Sequence, residues 1–295
     1  RPLHLIGSSI GSWRMAYLAQ RDPVAALARG HEAYIYRQRY TPKPDAREVS
    51  DVLTRALDYL LGDDGVREIL SHPTFRVHVI TAESRGIAAS QRRAVLATAM
   101  AMAAAANLVS RRSLALQMRR TIFHTAGDDS PFLQLRDLPT VHRALTPGNL
   151  RAALLASGSI PLLMEGVRIP GAPGVHWDGG VTDYHLDLDY GAGPGLVLYA
   201  HFYDHVVPGW FDKSLPWRRA GAANFSRTVL IAPSPAFLAS LPGGRIPDRR
   251  DFFEFSEAER MTRWQTILDA STALGDELHE LIETGRLVDA VVPWT

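Results

Sequence analysis

No cysteine occurs in the 295 residues. Its absence excludes a disulfide framework, a thiol nucleophile and a zinc site built on thiolates. An excess of one charge is missing too: 32 Lys and Arg stand against 31 Asp and Glu. No bulk field therefore draws the chain to nucleic acid, and any basic site is local. The opening residues RPLHLIGSSI carry no charged region, long apolar stretch or cleavage site of a signal peptide, so the cytoplasm is the expected location. A membrane-length apolar run is also lacking. The uncharged, alanine-rich stretch AVLATAMAMAAAANLVS over 94–110 reaches about 25 Å as a helix, short of a crossing. Its alanines make a good helix former of modest hydrophobicity.

That stretch reads first as a packed or lid helix. The second reading is an interfacial helix in peripheral contact with a membrane, and Arg92-Arg93, Arg111-Arg112, Arg119 and Arg120 would then suit anionic headgroups. Solvated helix ends are the simpler account of the arginines. With 46% hydrophobic residues and no repeat, low-complexity tract or linker, the expectation is one α/β domain over 1–295.

The chain is organised around LHLIGSSIGSWR at 3–14. Gly7-Ser8-Ser9-Ile10-Gly11 is a G-x-S-x-G sequence entered from an apolar run over 3–6 and followed by helix-forming residues. In a strand, sharp turn, helix context such a motif is a nucleophile elbow: glycines flank a turn too tight for side chains and the serine hydroxyl stands exposed. Ser9 is the candidate nucleophile, with partial positive charge from the helix start aimed at any oxyanion formed beside it.

Two further stretches bear on the same chemistry. Ala156-Ser157-Gly158-Ser159-Ile160-Pro161 ends an expected helix, and Trp177-Asp178-Gly179-Gly180-Val181 follows. An Asp before two glycines, after a short β-like segment, can present a bare carboxylate while its backbone lies close to a neighbour. A base reaching a serine from a separate loop needs that. Ser157 and Ser159 are supporting candidates, with tight packing and capping as the alternative.

With GSSIG, ASGSIP and DGG in this order, the chain resembles the patatin-like phospholipase family from its first residues to about Tyr190. The resemblance implies a three-layer α/β/α sandwich with a central, mostly parallel sheet. It implies hydrolysis of acyl esters by a Ser-Asp dyad, without a catalytic histidine, a cofactor or a metal: Ser9 as nucleophile and Asp178 as base, on a lipid or ester substrate. In that family a first strand, a glycine-rich oxyanion loop and a helix precede the elbow, and these are not found here. The Ile10 N–H is then one oxyanion donor without a second. Two rivals stand beside this reading. One is an α/β-hydrolase triad completed by a late histidine such as His279; the other is a lipid- or protein-binding module that kept the fold and lost turnover.

Periodicity and turn chemistry predict helices over 12–20, 23–29 (capped by Asp22 with Pro23 in its first turn), 46–61, 94–110 and 147–156 (capped by Thr146), and two more between 256 and 284. Strands are expected over 75–81, 121–125, 196–200 and 229–232, a hairpin over 167–177, and a short helix or turn over 138–145. Residues 191–195 read as a glycine-rich turn. His78 reads as a half-buried strand residue and Arg14 as a structural ion pair. Trp210, Phe211 and Trp217 are set over the core, with an acyl pocket or an interface as alternatives. A metal site among Asp178, Asp183, His185, Asp187 and Asp189, or at His201 and His205, is weighed and not adopted.

Overall fold

The apolar N-terminal run forms β1 (Leu3–Ser8), and the chain turns at Ser9 directly into α1 (Ile10–Leu18). This computed structural model describes residues 2–190 and 195–293; of the turn expected over 191–195, only Gly195 falls among them. Asp22 caps α2 (Pro23–Tyr36) by accepting the Ala25 N–H at 2.9 Å, and the helix continues a further seven residues past its expected end. Helix α3 (Ala46–Leu61) has its expected bounds, because Asp45 caps it and its apolar stripe, Val49, Val52, Ala56, Leu57 and Leu60, is buried. There follow α4 (Gly65–Leu70), β2 (Phe75–Ser84), α5 (Arg93–Val109), β3 (Met118–His124), β4 (Thr140–Ala144), α6 (Leu150–Ser157), β5 (His176–Asp178) and the single turn α7 (Gly180–Asp183).

Among the described residues the chain forms two compact units, one of residues 2–190 and 206–220, the other of 195–205 and 221–293. The first is mixed α/β with helices on both sides of a central sheet ordered β1-β2-β3-β4. β1 pairs with β2, and β3 with β4, in parallel; β2 and β3 run antiparallel. Odd residues of β2, Val77 and Val79, meet Phe123 and helices α1, α3 and α6 through Trp13, Leu57 and Leu154. On the even side Ala82 meets α5 through Leu96, Ala99 and Met100, together with Val175, Trp177 and Val181. The period-two pattern of β2 thus serves two cores at once.

The edge of β2 that carries β1 also carries β5. β1 ends with Ser8 opposite Ile80, and β5 arrives in the opposite direction with Asp178 opposite Thr81. The two strands therefore meet end to end along one neighbour, and the residues that leave their tips, Ser9 and Asp178, come together although 169 positions separate them.

Three expectations fail locally. Residues 138–145 hold the strand β4 rather than a helix or turn. The helix expected from Pro147 begins at Leu150, because the Asn149 side chain takes the Thr146 N–H at 2.8 Å and closes a turn first. Of the hairpin over 167–177 only a bridge between Val167 and His176 forms, since β5 pairs with β2 instead.

In the second unit β6 (Val197–Ala200) and β7 (Thr228–Ile231) form a separate parallel pair, so β7 is no strand of the central sheet. α8 (Pro235–Ser240) and α9 (Asp251–Glu254) precede α10 (Glu257–Glu283), one continuous helix where two were expected, and α11 (Leu287–Ala290) follows. A capping box between Ser256 and Glu259 starts α10, and buried Arg260, Trp264 and Ile267 anchor its first half. Trp264 Nε1 donates to the buried Asp251 at 2.6 Å.

Candidate active site

Ser9 occupies the tight turn between β1 and α1 with φ 55° and ψ −136°. It is one of two non-glycine residues with positive φ among the described residues. A side chain held there costs on the order of 1–3 kcal/mol, so the surroundings must fix it. Three contacts do so. The Ser9 N–H donates to Ser157 Oγ at 3.0 Å, and its carbonyl accepts Ser12 Oγ at 2.7 Å and the Ser12 N–H at 3.0 Å.

The flanking glycines differ. A methyl on Gly7 would fall 2.4 Å from Ser12 N and 2.5 Å from the Gly11 carbonyl carbon, so β1 and α1 close on one another there. A methyl on Gly11 would meet nothing within 4 Å. Gly7 is therefore demanded by the turn, whereas Gly11 leaves open space beside the nucleophile.

Ser9 Oγ donates to Asp178 Oδ2 at 2.7 Å, the distance of a strong charge-assisted bond. Asp178 is 6% exposed, and its other oxygen accepts the Gly180 N–H at 2.7 Å. That second bond leaves Oδ2 aimed at the serine. The strand behind is fixed by the Asp178 N–H on the Ser159 carbonyl at 2.8 Å and the Gly179 N–H on the Ser157 carbonyl at 3.1 Å. A methyl on Gly179 would fall 2.3 Å from the Ile80 carbonyl oxygen, and one on Gly180 would fall 3.0 Å from Asp178 Oδ1. The glycine pair thus lets the turn lie against β2 while keeping the carboxylate's backbone bond.

Ser157 links these parts. Wholly buried, it accepts from the Ser9 N–H and donates to the Ile80 carbonyl at 2.7 Å. The N–H groups of Ile10 and Gly11 at the start of α1 make no hydrogen bond among the described residues. The helix start therefore offers two free donors, where the sequence suggested one.

Several contributors were not seen in the sequence. Asp183, weighed in the sequence only as a metal ligand, is fully buried against Arg120, whose Nε donates to it at 2.8 Å. Arg120 also grips both oxygens of Asp137 at 2.7 Å, and Arg111 Nη1 reaches Asp137 at 3.0 Å. Neither Arg120 nor Arg119, which pairs with Glu83, is free for headgroups. The network clamps α7 directly behind Asp178.

His279 is exposed on α10, and Arg14 is exposed without an ion pair among the described residues. His78 is wholly rather than half buried, and burial pushes its pKa down to about 3. Trp217 is exposed, so it does not cover the core, while Trp210 and Phe211 are half-buried. No group of three or more His, Cys, Asp or Glu is placed to hold a metal ion among the described residues. None of the described helices is long and apolar enough to cross a membrane. No family model matches the chain, and neither a curated protein nor a solved structure does.

Proposed function

We propose that this protein is a serine hydrolase of lipid acyl esters working through a Ser9–Asp178 dyad, on the three-layer fold of the patatin-like phospholipases its motifs resemble. The observation that carries the reading is the 2.7 Å bond from Ser9 Oγ to Asp178 Oδ2 at a strained strand-to-helix turn. Strain at a residue held in place by three hydrogen bonds is a common mark of a functional position.

In the proposed reaction Asp178 Oδ2 takes the hydroxyl proton as Ser9 Oγ attacks the ester carbonyl carbon. Charge gathers on the carbonyl oxygen, where the Ile10 and Gly11 N–H groups and the α1 dipole are the available donors. The bond to the alcohol then breaks, and the alcohol leaves with the proton from Asp178. Water attacks the acyl-serine, giving its proton to Asp178, and the fatty acid departs as Ser9 is reprotonated. Burial of Asp178 keeps competing water from its carboxylate. The resemblance in GSSIG, ASGSIP and DGG supports a lipid ester over other acyl substrates.

The test is fatty-acid release from a mixed lipid extract, read by mass spectrometry for the complete protein and for Ser9→Ala and Asp178→Asn. Release that vanishes in both variants is expected, with labelling of Ser9 by an alkyl phosphonate. No release and no label would overturn the reading and leave a binding module on the same framework.

A further inference from the structure

The outer face of α5 carries no charge beyond its first residue. Facing away from the core along Arg93–Val109 are Ala94, Thr98, Ala101, Met102, Leu108 and Val109. A helix lying on a core ordinarily turns charged residues outward. Here the apolar exposure rises towards the C-terminal end, where Val109 is 88% exposed, and Leu116, seven residues further along the chain, is 76% exposed. A cleft of about 450 Å³, lined by Ala104, Leu108, Trp210 and Phe211 among others, opens beside it.

The stretch of chain that holds this face carries charge of one sign. Seven arginines and no Asp or Glu lie between Ser84 and Gly127. Some are committed to buried carboxylates, but Arg85, Arg92 and Arg112 are exposed and have no carboxylate partner among the described residues. Arg92 stands at the N-terminal end of α5, and Arg112 just beyond the C-terminal end.

We infer that α5 docks this protein on an anionic lipid surface. Met102, Leu108 and Val109 would enter the boundary between headgroups and acyl chains, and Arg85, Arg92 and Arg112 would meet the anionic headgroups around them. A second copy of the chain is the less suitable occupant. In a two-fold pairing through this face, either antiparallel or parallel, arginines at the helix ends would meet arginines. The docking face stands on the helix itself; that the surface also holds the substrate rests on the proposed hydrolase activity. On that reading the placement is apt: the inner face of α5 shares one hydrophobic core with Val175, Trp177 and Val181, which flank Asp178 in sequence.

Binding is measured by flotation with vesicles of phosphatidylcholine alone or with equal parts phosphatidylserine. The Ser9→Ala protein is used, so the result does not depend on turnover. Flotation with the mixed vesicles and little with the neutral ones is expected. Arg92→Gln with Arg112→Gln should lower the vesicle partition about 25-fold, at roughly fivefold per arginine. Val109→Glu with Leu116→Glu should lower it more than tenfold. Val24→Glu, at an exposed apolar position on α2, should leave it unchanged, and a retained thermal midpoint shows that each variant is folded. Absence of flotation, equal flotation with neutral vesicles, or variants that bind like the parent would overturn the inference. So would a solution dimer that Val109→Glu dissociates, which would assign the face to self-association. Failed fatty-acid release with intact flotation would remove the hydrolase reading and leave the docking face standing.

Discussion

Ser157 Oγ accepts the N–H of Ser9 at 3.0 Å, and its own proton goes to the Ile80 carbonyl at 2.7 Å. One buried hydroxyl therefore ties the nucleophile's backbone to the strand along which β1 and β5 meet. Ser157→Ala strips the Ser9 N–H of its partner at a strained position. The expected loss is about 1–3 kcal/mol of stability, together with a fall in kcat on the order of a hundredfold from a misplaced nucleophile. Urea unfolding and steady-state kinetics on a soluble ester measure the two. Unchanged kcat would show that Ser9 is held without Ser157.

The two glycines of the elbow should respond differently. Gly7→Ala drives a methyl into the backbone of α1, at 2.4 Å from Ser12 N, where nothing flexible can yield. It should abolish turnover and lower the unfolding midpoint. Gly11→Ala meets open space and gains up to about 1 kcal/mol of helix propensity. It should fold at least as well as the parent, so any rise in KM would report a substrate passing over position 11. Equal behaviour of the two variants in thermal melts would contradict the geometry.

What could be read in the sequence was local. The elbow needs only an apolar run, two glycines and a helix former within twelve residues, and α3 has a cap and an apolar stripe of its own. The closeness of Gly179 to a neighbour follows from an Asp-Gly-Gly turn. β4 was not visible because its sequence, Thr-Val-His-Arg-Ala, has no apolar alternation: four of its residues are half-buried and the last is exposed. α10 keeps Gly275 in its interior, where a glycine would otherwise suggest a break between helices. The meeting of β1 and β5 on one edge of β2 is a matter of register between segments far apart in sequence, and neither segment's composition encodes it.

The same holds for Arg120 and Asp183, which lie 63 positions apart and are both wholly buried. Arg120→Met leaves the Asp183 carboxylate largely uncompensated, with only Arg111 Nη2 at 3.2 Å. The expected cost is about 3–5 kcal/mol. Arg120→Met combined with Asp183→Leu removes both charges and should cost less than the two single changes added together. A double-mutant cycle in urea checks this. Additive losses would mean that the pair is not coupled and that α7 is held by its packing alone.

Four histidines cross the central sheet in a row, one on each of β1 to β4. The ring centroids of His4, His78, His124 and His142 are successively 5.4, 5.3 and 5.5 Å apart. His78 lies deepest. Its Nδ1 faces the carbonyls of Arg76 at 3.0 Å and Leu5 at 3.3 Å, which can only accept, so Nδ1 carries the proton and Nε2 accepts from Ser130 Oγ at 3.0 Å. Burial, with His124 and His4 adding to it, pushes the His78 pKa from 6.5 down to about 3. Burial lowers those of His4 and His142 as well. Between pH 6.5 and about 3 the unfolded chain binds a proton at this position that the folded chain refuses. Its stability contribution is therefore complete above the unfolded value, declines as the pH falls through that window, and is gone below the folded value. The slope from His78 alone is on the order of 1 kcal/mol per pH unit. His78→Gln, which keeps polar partners and loses the titration, should flatten the fall in urea midpoint between about pH 4 and 6. A parent protein whose midpoint does not fall across that range, or a His78→Gln slope equal to the parent's, would show that the row carries no such penalty.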